Sequence, residues 1–272
     1  MGNERMHQSA LDIDLNLSPL WRAWFSGWVD GEGCFMARPC GHDRTAISCI
    51  LRVTVRDDDA KLIYNVRDTI QCGRIFTAGA RNGTNPQIIW ICSNLSACRH
   101  ILIPLFDKYP LQSRKRRDYE IWREIVLLVS EDHHLHGNRD YVLSLCQKLK
   151  DIKKYASPEI NPRDSEHYCD CPLFYSWFSG WVDGEGCFMA QKSRRDRSIS
   201  CELCIKVRDD DTSLVRNVGD VIQCGTVVTI PEYKTSRPGI EWHCCDIDEQ
   251  VQTLIPIFDS NPLRSKKSND YR

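Results

Sequence analysis

The run WFSGWVDGEGCFMA, from Trp24 to Ala37, recurs unchanged from Trp177 to Ala190, and no other feature restricts the fold as much. An identical stretch this long, rich in Trp, Gly and acidic residues, does not arise from composition, so the chain is internally duplicated. Each copy opens as an apolar segment with small residues, Ser26-Gly27 and Ser179-Gly180, and closes in Asp-Gly-Glu-Gly, the pattern of a helix stopping at glycines. Small residues let a second helix approach closely. The terminal glycines mark a C-terminal end, where unpaired carbonyls carry the negative end of the dipole and a carboxylate would invite a cation.

Beyond the run the two copies stay in register. Ser18-Pro19 fits an N-cap with Pro at the first helical position. After Gly33 the period becomes two: Ile47, Cys49, Leu51, Val53 and Val55 alternate with Ser48, Ile50, Arg52, Thr54 and Arg56. In the second copy Ile199, Cys201, Leu203, Ile205 and Val207 alternate with Ser200, Glu202, Cys204, Lys206 and Arg208. A half-covered antiparallel sheet gives this pattern. Asp57-Asp58-Asp59 and Asp209-Asp210-Asp211 then precede amphipathic helices, Leu62, Ile63, Val66 and Ile70 in one and Leu214, Val215, Val218 and Ile222 in the other, and read as helix caps. Both helices end at Gln-Cys-Gly, with Gly73 and Gly225 as expected C-terminal caps.

Two further strands are expected around 74–78 and 87–93, and again around 226–230 and 239–246, followed by Leu-Ile-Pro-x-Phe-Asp at 102–107 and 254–259. Each copy therefore reads αββαββα. The expected architecture is α+β, with pseudo-symmetric domains at 18–130 and 172–272 joined by a linker, 131–171, that carries one helix from Tyr141 to Ala156. The linker's His133, His134 and His136 read as a solvated loop. A helix through Ile121, Trp122 and Ile125 to Val129 has no counterpart in the second copy, where the sequence stops at Arg272. A truncated C-terminus, or a second copy that manages without this helix, is expected.

Phe25-Ser26-Gly27-Trp28-Val29-Asp30-Gly31-Glu32-Gly33 and its second copy, Phe178 to Gly186, resemble the signature motif of the LAGLIDADG homing endonucleases, in the single-chain, two-motif form. The resemblance implies a DNA-binding saddle of antiparallel sheets and metal-dependent hydrolysis of both DNA strands across a long, partly palindromic target. It places the metal ligands on Glu32 and Glu185, with Gly31 and Gly184 lending backbone carbonyls, and Mg²⁺ or another divalent cation as the cofactor. Asp30 and Asp183 are expected to hold the helix ends. Lys115 and Lys267, which share a register after the last strand, are the candidates for stabilising transition-state charge.

Arg52, Thr54, Arg56, Lys206 and Arg208 on the polar strand faces, with Arg38, Arg44, Lys192 and Arg194 beside them, are the candidate DNA-binding residues, since Arg and Lys read base edges in the major groove. The resemblance departs at Val55 and Val207, where many relatives carry a Gln that orders active-site water. Double-stranded DNA is the expected partner and a monomer the expected form; an RNA maturase acting on intron RNA, or a non-cleaving DNA-binding protein, is the alternative.

Length and composition agree with this reading without requiring it. A chain of 272 residues has room for two cores, and 42% hydrophobic with 27% charged residues is ordinary for a globular protein. The net charge of -1 does not exclude nucleic acid, because binding follows where cations cluster. Fifteen cysteines without a secretory signal point to an intracellular, reducing compartment. Cys34 with Cys187, Cys49 with Cys201 and Cys72 with Cys224 recur in register and read as small buried residues. Cys201 and Cys204 lie three apart on a strand and face opposite ways, which argues against zinc there. No apolar run is long enough to span a membrane.

Overall fold

The computed structural model describes residues 17–42, 46–80, 83–132, 135, 137–154, 171–192, 199–232 and 237–272. Packing divides them into two compact units. The first holds 17–22, 33–110 and 116–154; the second holds 23–32, 111–115 and 171–272. Most of the first repeated helix, and the turn after the first copy's last strand, thus pack in the second unit.

In the first unit, β1 (Gly33–Cys40), β2 (Ala46–Arg56), β3 (Arg74–Ala78) and β4 (Gln87–Cys92) form an antiparallel sheet in the order β1-β2-β4-β3. The period-two pattern sets its faces. Leu51, Val53, Ile88 and Trp90 are buried, and α2 (Ala60–Ile70) buries Leu62, Ile63, Val66 and Ile70. Arg52 and Arg56 are exposed on the opposite parity, although Ile50 on that parity is buried too. Asp59 sits at the N-cap of α2 without a side-chain capping bond, and the helix ends on Gln71 in the left-handed region. The expected cap at Gly73 is therefore corrected. Gly73, at φ +85°, is required for another reason: a Cβ there would overlap the Trp90 indole, whose N–H donates to the Cys72 carbonyl at 3.0 Å.

The Leu-Ile-Pro segment lies in a continuous helical stretch, α3 (Leu95–Ala97), a π turn (Cys98–Leu102) and α4 (Ile103–Lys108). The helix α5 (Lys115–Glu131) begins in the second unit and closes the first unit's aromatic core. Phe35 meets Phe106, Tyr119 and Trp122 at centroid separations of 5.7, 5.6 and 5.2 Å. The linker helix, α6, spans Arg139–Asp151 rather than reaching Ala156, and it packs on β1. The three linker histidines lie outside the described residues.

The second unit repeats the plan with α7 (Cys171–Glu185), β5 (Gly186–Lys192), β6 (Ile199–Arg208), α8 (Thr212–Ile222), β7 (Thr226–Ile230), β8 (Gly239–Cys244), α9 (Ile247–Glu249), α10 (Ile255–Ser260) and α11 (Lys267–Tyr271). Its sheet order is β5-β6-β8-β7. Leu203 and Ile205 are buried, but Ile199 is 67% exposed, so the buried stripe of β6 starts later than its alternation suggests. Phe188 meets Phe258 and Tyr271, each at 6.0 Å, beside a cavity of about 450 Å³ lined by Leu254 and Ile255 among others. Four of the cysteines expected to be buried are not: Cys187 is exposed, and Cys34, Cys72 and Cys201 are only half-buried. Among the described residues no helix is long and apolar enough to cross a membrane.

Candidate active site

The first repeated helix, α1 (Pro19–Glu32), starts as expected, with the Ser18 hydroxyl accepting from Trp21 N–H at 3.2 Å. Its end falls at the motif as expected, just before Gly33, but without a glycine in the left-handed region. Both α1 and α7 run through Asp-Gly-Glu and stop at Glu32 and Glu185, and none of the motif glycines has a positive φ. These glycines serve close packing instead. A Cβ on Gly27 would overlap the Trp177 carbonyl, one on Gly180 would overlap the Trp24 carbonyl, and one on Gly31 would lie 2.8 Å from the Gly184 Cα. The two helices meet backbone to backbone at their C-terminal ends.

Two tryptophans and two aspartates lock the crossing. The Trp24 indole donates to Asp183 at 2.8 Å, and the Trp177 indole donates to Asp30 at 2.8 Å. Each carboxylate also gathers the turn that follows the short helix of its own copy, α4 for Asp30 and α10 for Asp183. Asp30 accepts from Gln112 N–H (2.8 Å), Ser113 N–H (3.0 Å) and the Ser113 hydroxyl (2.5 Å), while Asp183 accepts from Arg264 N–H (2.8 Å) and Ser265 N–H (2.9 Å). The expectation that these acids hold the helix ends is thus met, with partners the sequence did not reveal. Burial raises the Asp30 carboxyl above its ordinary pKa, and the donors around it only partly reverse this.

Gathering those turns delivers a lysine to each helix end. Lys267 Nζ donates to the carbonyls of Val182 (3.1 Å), Asp183 (2.9 Å) and Gly184 (2.7 Å). Lys115 Nζ donates to Val29 O at 3.4 Å and to Gly31 O. Both ammoniums sit on the negative end of a helix dipole. Burial lowers the Lys115 pKa, while Glu185, Asp30 and Glu32 raise it and Arg114 lowers it further. Glu185 shows an open outer side, yet the protein packed around its carboxylate raises its pKa, with Lys115, Lys267 and Arg114 opposing. Glu32 is half-buried.

Beside Glu185 opens a cavity of about 370 Å³ into which Arg114, Lys115, Lys206, Arg208 and Arg237 all contribute. Arg114 is fixed by Asp211, which accepts its backbone N–H at 2.6 Å and faces its guanidinium at 3.5 Å. Asp211 holds the N-cap position of α8 but makes no side-chain capping bond, so this acidic run anchors a neighbouring turn instead of a cap. Val207 lines the same cavity. Several cations around one carboxylate suit an anion.

A sequence model described as LAGLIDADG endonuclease matches residues 25–126 and 178–272. The chain belongs to this family. Among curated relatives, "Probable intron-encoded endonuclease 2" of Neurospora crassa is 25% identical over 288 residues, covering 97% of this chain and 60% of the relative. "Probable intron-encoded DNA endonuclease 1" of Mycosarcoma maydis is 23% identical over 266 residues, covering 90% of this chain and 95% of the relative. The chain therefore spans less than two thirds of the first and nearly all of the second. Of solved structures, I-SmaMI bound to an uncleaved DNA target in the presence of calcium ions matches in fold, with TM-score 0.74, 22% identity, and 94% and 88% of the two chains covered.

Not all the residues expected from the family pattern come together. Glu185, Lys115, Lys206 and Arg208 share the cavity, and Gly31 and Gly184 lie against each other. Arg52, Thr54 and Arg56 lie on the first unit's sheet, where Arg52 donates to Thr54 at 3.0 Å and Arg56 pairs with Asp58 at 2.7 Å. Arg208 is paired with Asp210. Arg38 and Lys192 are exposed near strand ends, and Arg44 and Arg194 lie outside the described residues. Sequence reasoning missed the roles of Trp24, Trp177, Ser113, Ser265 and Arg237. A signal existed for four of them: each Trp and each Ser has an identical partner in the other copy.

Proposed function

We propose that the chain is a site-specific endonuclease that hydrolyses both strands of a double-stranded DNA target, with a divalent cation held by Glu32, Glu185 and the Gly31 and Gly184 carbonyls. One observation carries the reading: at both helix ends an ammonium is held on the carbonyl the family pattern assigns to metal, Lys115 on Gly31 and Lys267 on Gly184. Both carbonyl oxygens accept from a lysine side chain. Hard oxygen donors of this kind suit Mg²⁺ better than a softer ion. When bound, such an ion lowers the pKa of water and offsets charge on the leaving oxygen.

The chain's own residues do the rest. Asp30 and Asp183 orient the helix ends, the cation-lined cavity receives the backbone phosphate, and Lys115 and Lys267 are assigned to its developing charge. Arg52, Thr54, Arg56, Lys206 and Arg208, with Arg38, Arg44, Lys192 and Arg194, are assigned to DNA contact. Both motifs lie on one chain, so a monomer suffices. The relatives' names, intron-encoded endonucleases, support the same activity.

The test is cleavage of a randomised duplex library with Mg²⁺, by the full chain and by Glu32→Gln and Glu185→Gln. Cleavage of one target by the parent chain, stopped by chelation and by either substitution, is expected; cleavage unchanged in either variant would overturn the assignment. Binding should fall about a thousandfold or more between 50 and 200 mM salt if roughly six to ten phosphates are neutralised. Equal affinity for RNA hairpins and duplex DNA would replace this reading with RNA binding.

A further inference from the structure

We propose that Cys224, Cys244 and Glu249 form a binding site for one thiophilic divalent cation of the Zn²⁺ class, separate from the residues assigned to catalysis. The three side chains come from the turn after α8, the end of β8 and α9, and their ligand atoms all lie within 4.8 Å of one another. Both cysteines are buried, 4% and 0% exposed, and Glu249 closes the group from its half-open side.

The spacing fits the metal. Zinc bonds of about 2.3 Å to sulfur and about 2.1 Å to oxygen, meeting at the tetrahedral angle, place the two ligand atoms about 3.6 Å apart. Cys244 Sγ stands 3.6 Å from Glu249 Oε2. The carboxylate is aimed by the backbone, since Gly225 N–H donates to Oε2 at 2.8 Å and the Asp246 side chain caps Glu249 N–H at 3.0 Å. Such outer contacts are what orient a metal ligand. Three protein ligands leave a fourth position for water. A cation binds the thiolate form of cysteine, so each thiol gives up its proton as the cation binds and two protons are released.

The first copy supplies a built-in contrast. Cys72 and Cys92 stand at the same places in its fold, with their sulfurs 3.9 Å apart, but Ala97 occupies the position of Glu249. Cys98 also lies beside Cys92 there, but among the described residues these three sulfurs do not draw within 4.8 Å of one another as the second copy's ligand atoms do.

The experiment titrates Cd²⁺, and Zn²⁺ in competition, into the reduced, chelator-stripped full chain, following sulfur-to-cadmium absorption, proton release and thermal unfolding. One tight equivalent with two protons released and a raised Tm is expected. Glu249→Gln should weaken it by at least about tenfold, Cys224→Ser should abolish the absorption, and Cys92→Ser should leave both unchanged. No tight equivalent in the parent chain, or an equivalent lost in Cys92→Ser but kept in Glu249→Gln and Cys224→Ser, would overturn the proposal. Far-ultraviolet circular dichroism identifies any variant that fails to fold, and Glu249→Gln, which keeps an oxygen acceptor for Gly225, then decides the outcome alone.

Discussion

The two copies of the repeated sequence agree where α1 and α7 meet and differ where each copy builds its own flank. At the crossing the same bond appears twice, Trp24 to Asp183 and Trp177 to Asp30, with both indoles at 2.8 Å. On the flank, Glu249 of the second copy accepts the Gly225 N–H at 2.8 Å, whereas the first copy has Ala97 at that place. The difference teaches where a change is shared. A substitution at the crossing disturbs both copies, because every group there contacts its equivalent's neighbours; a substitution on a flank disturbs one.

The largest expected effect breaks the equality at the helix ends. Glu32→Gln and Glu185→Gln should each reduce double-strand cleavage by on the order of a thousandfold, with duplex binding retained. Nicking of one strand at the parental rate by either variant, measured on supercoiled plasmid, would show that the two carboxylates serve separate sites.

Packing gives the next largest effects. Trp122→Ala should cost about 3–5 kcal/mol by opening the first unit's core, read by denaturant unfolding. Gly27→Ala and Gly180→Ala should each cost about 1–3 kcal/mol or more, since the added methyl meets a backbone carbonyl that cannot move aside. Gly79→Ala, with nothing within 4 Å of the new Cβ, is the control that should not.

A finer comparison concerns the two braces. Among the described residues Asp30 accepts four hydrogen bonds and Asp183 three, so Trp24→Phe should cost more than Trp177→Phe within a range of about 1–3 kcal/mol. Equal losses would mean the indole bond is worth the same whatever else the carboxylate accepts.

The smallest effect is in pH. Burial raises the Asp211 carboxyl from its ordinary value to about 6, with Arg114 opposing. The folded chain then keeps a proton that the unfolded chain releases near pH 4, so this group's stabilisation is complete below that pH and is lost as pH rises toward 6. Asp211→Asn should remove that slope, on the order of 2 kcal/mol at most across the window. Parallel stability curves for parent and variant between pH 4 and 6 would show that Asp211 is already ionised in the folded chain.

Much of this was legible in the sequence because repetition and period report on backbone geometry. The alternation in β2 and β6, the spacing in α2 and α8, and the doubled motif state which faces turn inward, and local sterics then leave few alternatives.

Three things were decided only by tertiary structure. The helices stop before Gly33 and Gly186 as the motif suggests, but Gly27, Gly31, Gly180 and Gly184 become contact points only because another helix presses on them. The Asp209–Asp211 run looks like a cap, but Asp211 takes a backbone N–H from Arg114, ninety-seven residues away in the chain. Cys224, Cys244 and Glu249 are unremarkable in the sequence and become a cluster only when a turn, a strand end and a short helix fold together. Propensity and period act over a few residues, so the sequence by itself determined the elements and their faces; which distant groups meet depends on how those faces pack, and only the folded chain decides that.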